Sequence, residues 1–262
     1  AATSGATLTS NGIESITVNA SGTASGAITR PVTLTSDSLQ SVTITGDAAS
    51  AISANLAGAT TLTAGSVTGN AAANTVLLTA DAADTISVDL AAGNDVLSVT
   101  SISATHTLAG GDGIDSLVAG TSITAATGAN ISGFEVVSAG AVTVVLPAAT
   151  NTIGTVSFTG TGGSVAGVAT GATVSQAATG TNTVKNTTGW TGTTDALSVS
   201  VGSATSTGAI TQALTATGIE TATITNSQLS TDTTARSVGV TSANLTKMTV
   251  ASSGTAQITV TG

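Results

Sequence analysis

Short runs of alternating apolar and polar residues recur along this chain. Five of them share one pattern, in which an apolar residue and a polar residue precede apolar positions spaced two apart. They are Gly12-Ile13-Glu14-Ser15-Ile16-Thr17-Val18, Leu39-Gln40-Ser41-Val42-Thr43-Ile44, Gly133-Phe134-Glu135-Val136-Val137, Gly218-Ile219-Glu220-Thr221-Ala222-Thr223-Ile224 and Leu245-Thr246-Lys247-Met248-Thr249-Val250. A period of two is the signature of a strand with one face buried. Gly- and Asn-rich pieces such as Thr159–Gly163 and Thr179–Asn182 read as corners or loops between such strands. Glu14, Gln40, Glu135 and Glu220 occupy the same place in the pattern, which reads as a polar residue opening a strand at a corner rather than as a repeated ligand.

Composition narrows the architecture. Thr fills 56 of the 262 positions, Gly another 31, and the only aromatic residues are Phe134, Phe158 and Trp190. β-branched side chains suit a pleated surface, but a sandwich core normally relies on large aromatics. So few bulky side chains can fill only thin cores, which predicts an all-β chain wound as a right-handed parallel β-solenoid whose coils stack on one another. Ladders of Ile, Leu and Val would line its interior while Thr and Ser face water. The texture divides the chain into solenoid coils over 1–68, an acidic stretch over 69–120, and further coils of the same elongated unit over 121–262.

Charge removes several classes of function. Lys185, Lys247, Arg30 and Arg236 are the only cations against thirteen acids, a net charge of -9 that cannot neutralise a nucleic-acid backbone. No apolar run approaches the roughly 18 residues of a membrane span, so no membrane insertion is expected. Cysteine is absent, as suits a secreted bacterial protein that does without disulfides. The start, Ala1-Ala2-Thr3-Ser4, has neither an initiator Met nor a basic and apolar leader, and reads as a mature end or an excised fragment.

The chemistry is concentrated between Asp81 and Asp115, which holds six of the thirteen acids. Gly110-Gly111-Asp112-Gly113-Ile114-Asp115-Ser116-Leu117-Val118 fits position for position the nonapeptide whose glycine turns bind Ca²⁺ and whose next apolar residue plugs a solenoid core. Gly93-Asn94-Asp95-Val96-Leu97 keeps the second half of that unit; Ala83-Asp84-Thr85-Ile86 and Ala73-Asn74-Thr75-Val76 are weaker versions. Ca²⁺ takes six to eight oxygens at about 2.3–2.6 Å, and turns lacking Cβ atoms let carbonyls approach beside one carboxylate per turn. The expected side-chain ligands are Asp84, Asp95, Asp112 and Asp115. Asn74, Asp81, Asp89 and Asn94 are secondary candidates, and Gly93, Gly111 and Gly113 would supply carbonyls. Asp195 stands alone, and solvation of its turn is the simpler reading.

Other chemistries fit less well. His106 is the only imidazole, no Gly-x-Ser-x-Gly elbow exists, and a sugar-cleaving groove would need cations, paired carboxylates and aromatic platforms, so no enzymatic activity is expected. The pairs Thr33/Thr35, Thr43/Thr45, Thr61/Thr63 and Thr223/Thr225 suggest an ice-binding face, but their uneven spacing favours ordinary strand composition. Trp190, among turn residues, reads as a plug over the core rather than an exposed contact.

The stretch from Gly69 to Gly120, followed by Ile131-Ser132-Gly133-Phe134-Glu135-Val136-Val137, resembles the C-terminal solenoid of bacterial surface-layer proteins of the Caulobacter type, which carry RTX calcium repeats. The Thr/Ala/Ser/Gly-rich flanks are similar in texture across most of the chain. The resemblance implies export by type I secretion and a calcium-dependent two-dimensional lattice of identical copies on the outer surface of a Gram-negative cell, with surface polysaccharide held by a region outside this chain. The sequence departs from the pattern in its Ala-for-Gly turns around Asn74 and Asp84. A segment of a type I-secreted RTX adhesin, binding a host or biofilm surface, is the alternative from a different class.

Overall fold

The structure is a computed structural model; the residues it describes are 6–21, 31–56, 62, 64–176, 179–186, 190–201, 210–226, 236–252 and 258–261. Arg30 and the Thr61/Thr63 pair lie outside them. All regular elements among the described residues are strands, and no helix is long and apolar enough to cross a membrane. The chain divides into two units, Ala1–Glu135 and Val136–Gly262.

The first unit carries β1 (Ala6–Thr9), β2 (Ser15–Asn19), β3 (Pro31–Thr35), β4 (Ser41–Thr45), β5 (Ser50–Asn55), β6 (Gly65–Thr68), β7 (Asn74–Thr79), β8 (Ile86–Asp89), β9 (Val96–Val99), β10 (Thr107–Ala109), β11 (Ser116–Ala119) and β12 (Ile131–Ser132). Odd-numbered strands pair in parallel along one face and even-numbered strands along another, so each strand skips its neighbour in sequence and pairs one coil on. That connectivity is a β-solenoid. Register stacks like on like: Ile52, Val76, Leu97 and Leu117 form one interior ladder, and Val42, Val67, Val88, Leu108 and Ile131 form another. All nine side chains are buried. Each contributes about 1.5–3 kcal/mol of burial, which lets a core without many aromatics hold together.

The second unit repeats the scheme with β13 (Val136–Ala139), β14 (Thr143–Val145), β15 (Ile153–Phe158), β16 (Ser164–Ala166), β17 (Val168–Gln176), β18 (Gly180–Lys185), β19 (Ala196–Val201), β20 (Ile210–Ala216), β21 (Thr221–Asn226), β22 (Arg236–Thr241), β23 (Lys247–Ser252) and β24 (Ile258–Thr261). Val137, Val156, Val174, Val199 and Ile224 stack in its interior. Phe158 and Trp190 are buried, so Trp190 is a plug and not an exposed contact. One expectation fails here. Thr179–Asn182 does not form a corner, because Gly180 begins β18 and Asn182 turns inward, its Oδ1 accepting the Gly163 N–H at 2.8 Å. The inward amide takes the place of an apolar residue, which hides the strand from a hydrophobic pattern.

Several corners carry a glycine in left-handed backbone. Gly12 (φ +81°) precedes β2, and a Cβ built there meets nothing within 4 Å. Gly12→Ala therefore carries only the conformational cost, about 1 kcal/mol in urea unfolding.

Candidate metal centre

Strands β5, β7, β9 and β11 enter their coils through the same corner, and register places Ser50, Asn74, Asp95 and Asp115 there one above another. Glu135 continues the series in the next coil. The Ser50 hydroxyl donates to Asn74 Oδ1 at 2.9 Å. The Asn74 N–H donates to Asp95 Oδ1 at 2.5 Å, the Asp95 N–H to Asp115 Oδ1 at 2.8 Å, and the Asp115 N–H to Glu135 Oε2 at 2.9 Å. Each acid thus satisfies the backbone donor that the previous coil leaves unpaired as it bends into its strand. Asn74, Asp95 and Asp115 are essentially fully buried, at 1%, 1% and 0% exposure.

This capping uses one oxygen of each aspartate. Asp95 Oδ2 and Asp115 Oδ2 are both buried and have no hydrogen-bond partner. A carboxylate oxygen held in that state is costly while ionised. Burial accordingly pushes Asp95 up to about 6, against the pull of the Asn74 N–H and side chain and with a further push from Asp115. Asp115 is also raised, by burial first and then by the nearby charge of Asp112, against the pull of the Asp95 N–H.

The turns before these aspartates are packed backbone on backbone. Ala91, Gly93, Gly111 and Gly113 have φ of +69°, +123°, +109° and +147°. A Cβ at Gly111 would stand 1.7 Å from the Ala91 carbonyl oxygen, and one at Gly113 would stand 1.7 Å from that of Gly93. Asp112 is exposed; its N–H donates to the Ala91 carbonyl and its own carbonyl accepts the Gly93 N–H, both at 2.9 Å. Asn94 is exposed too, with Oδ1 accepting the Ile114 N–H at 3.0 Å across the coils.

The remaining candidates lie elsewhere. Asp84 is buried at the entry to the other face, where Oδ1 accepts the Leu62 N–H and Oδ2 the Asp81 N–H, each at 2.9 Å. Both of its oxygens are spent on backbone. Asp81 is exposed beside it, and Asp89 Oδ1 caps the Ala91 N–H at 3.0 Å from the end of β8. Among the described residues no three His, Cys, Asp or Glu side chains converge on one point. A ladder explains this, since its carboxylates are spread over successive coils about 4.8 Å apart and any one level offers two.

The donor set fits a hard cation. Two buried oxygens without hydrogens to accept, glycine turns that admit no Cβ and carbonyls crowding the same turns are the elements of an all-oxygen calcium shell. Asp95, Asp115 and carbonyls of the Ala91–Gly93 and Gly111–Gly113 turns would hold Ca²⁺, with Asp112 supplying further charge. The pattern of the nonapeptide missed Glu135, whose signal was its recurrence as Gly-apolar-Glu before a strand.

Compared with protein-family models, curated proteins and solved structures, the chain matches none. Fold and site define the class by themselves: a parallel β-solenoid with a carboxylate ladder set in glycine-rich turns, compatible with a repeat protein of the RTX or surface-layer type.

Proposed function

We propose that the chain is a structural, non-enzymatic exoprotein segment, exported by type I secretion, whose turns take calcium and which assembles with copies of itself into a layer on the surface of a Gram-negative cell. The pair of buried, partnerless carboxylate oxygens at Asp95 and Asp115 carries this reading. Calcium, when bound, would neutralise them and tie successive turns together. In calcium-poor cytoplasm the same oxygens disfavour the stacked turns and keep the chain competent for export; outside, at millimolar calcium, the stack closes. His106 supports the non-enzymatic reading, because it is fully buried with Nδ1 accepting the Ser103 N–H at 3.4 Å.

Calcium titration of the purified chain followed by far-ultraviolet circular dichroism, with negative-stain imaging at the end point, tests both halves. The expected result is strand signal that grows with calcium and ordered sheets without any added partner. Calcium-dependent folding into particles that stay monomeric and bind a glycan would transfer the chain to the adhesin class, and indifference to calcium would remove the metal from the account.

A further inference from the structure

We infer that Glu135 is a calcium ligand, forming with Asp115 a second ion level one coil beyond that of Asp95 and Asp115; this rests on the calcium reading above. Glu135 lies outside the nonapeptide, in Gly133-Phe134-Glu135, and is half-buried where Asp95 and Asp115 are buried, yet it repeats the capping role of the aspartates. Its Oε2 accepts the Asp115 N–H at 2.9 Å as Asp115 Oδ1 accepts the Asp95 N–H at 2.8 Å. The Asp115 carbonyl accepts the Glu135 N–H at 3.1 Å, so the two residues bond to each other through side chain and backbone.

The turn beneath Glu135 is as closely stacked as the one before it. Gly133 is left-handed (φ +71°), and a Cβ on Gly110 would fall 2.1 Å from the Gly133 carbonyl oxygen. Asp115 Oδ2, fully buried and without a hydrogen-bond partner, is the open ligand position that the two levels share. One buried oxygen can bridge two ions, and the carboxylates of Asp95, Asp115 and Glu135 then alternate with cations along the stack. The longer Glu side chain suits this end of the ladder. Its turn is shorter, three positions from Gly133 to Glu135 against six from Gly110 to Asp115, so the backbone enters the strand without the loop that carries the aspartate inward.

A matching arrangement in the second unit shows what the hydrogen bond alone does not provide. The Asp195 N–H donates to Glu220 Oε2 at 2.8 Å behind left-handed Gly218 (φ +96°), but Asp195 is only half-buried and its Oδ2 accepts the Gly192 N–H at 2.8 Å. No partnerless carboxylate oxygen is buried there. Glu220 is therefore a cap and Glu135 a cap that also binds.

The test is isothermal titration of the full chain with Ca²⁺ alone, reading ions per chain, for the wild type, Glu135→Gln, Asp95→Asn and Glu220→Gln. Glutamine keeps the oxygen that accepts the Asp115 N–H, so circular dichroism should show the fold of Glu135→Gln intact in calcium. Glu135→Gln and Asp95→Asn should each lose one ion, and Glu220→Gln none. A Glu135→Gln chain that binds as many ions as the wild type, with unchanged heats, would reduce Glu135 to a structural cap while leaving the Asp95–Asp115 level standing. A wild type that binds no calcium would overturn the calcium reading itself and this inference with it.

Discussion

In chelator, Asp95→Asn makes the chain more stable, by about 1–2 kcal/mol at neutral pH; in millimolar calcium the same substitution makes it less stable. The sign in chelator follows from the raised pKa of Asp95, about 6 in the fold against an ordinary value of 3.8. A folded state that holds the proton more tightly than the unfolded chain is favoured at low pH. Wild-type stability in chelator is therefore fully present below about pH 4 and is lost as pH rises through 6. Asparagine keeps an oxygen for the Asn74 N–H and removes the charge, but burying its NH₂ group carries a desolvation cost of its own, which limits the gain. Calcium reverses the sign because the ion needs the carboxylate. Urea melts between pH 4.5 and 7.5, with chelator and with calcium, measure all four corners. An Asp95→Asn chain destabilised in chelator would mean that the wild-type carboxylate has a partner in solution that the fold does not provide.

Gly111→Ala, like Gly113→Ala, should be among the most damaging single-methyl changes in the first unit, costing about 3–5 kcal/mol. Two effects add. The residue is left-handed at φ +109°, and the new Cβ would sit 1.7 Å from the Ala91 carbonyl oxygen, which is backbone and cannot rotate away. Relief requires parting two coils, which also breaks the Asp112 N–H bond to that carbonyl. Gly12→Ala, equally left-handed but facing open space, isolates the conformational share. Equal losses for the two variants in urea unfolding would show that the turns are less tightly stacked than described.

Much of the fold could be read from the chain because each strand announces itself by alternation, and a core starved of aromatics leaves few alternatives to stacked coils. Register was harder. Thr155, Thr173, Ser198, Thr223 and Thr249 stand in one outward rank although their separations in sequence differ, because corners of unequal length deliver strands to equal positions. The same uneven corners decided what could be seen of the site. Asp95 and Asp115 were visible as a pair because the glycines before them keep their spacing; Glu135 could be read as opening a strand but not as continuing their column, because its turn is three residues shorter. Asp84 stands apart from that column for a different reason. An acid followed by Thr and Ile opens a strand on either face, and alternation does not say which corner it occupies. Only the stack shows Asp84 capping Leu62 while Asp95 and Asp115 share a column.

The skipping connection, in which every strand pairs one coil on rather than with its sequence neighbour, also governs how such a chain tolerates change over generations. Away from the closely stacked glycine turns, adding or deleting residues at a corner leaves the strand pairs in place, and duplicating a whole coil extends the interior ladders without disturbing any existing pair. Removing a single residue within β7 or β9 would instead turn an entire rank of side chains inside out. Outside those turns, letters and lengths at the corners can drift widely as long as the count inside each strand is kept, so lineages sharing this architecture would retain a common cadence of inward residues long after their sequences had ceased to align.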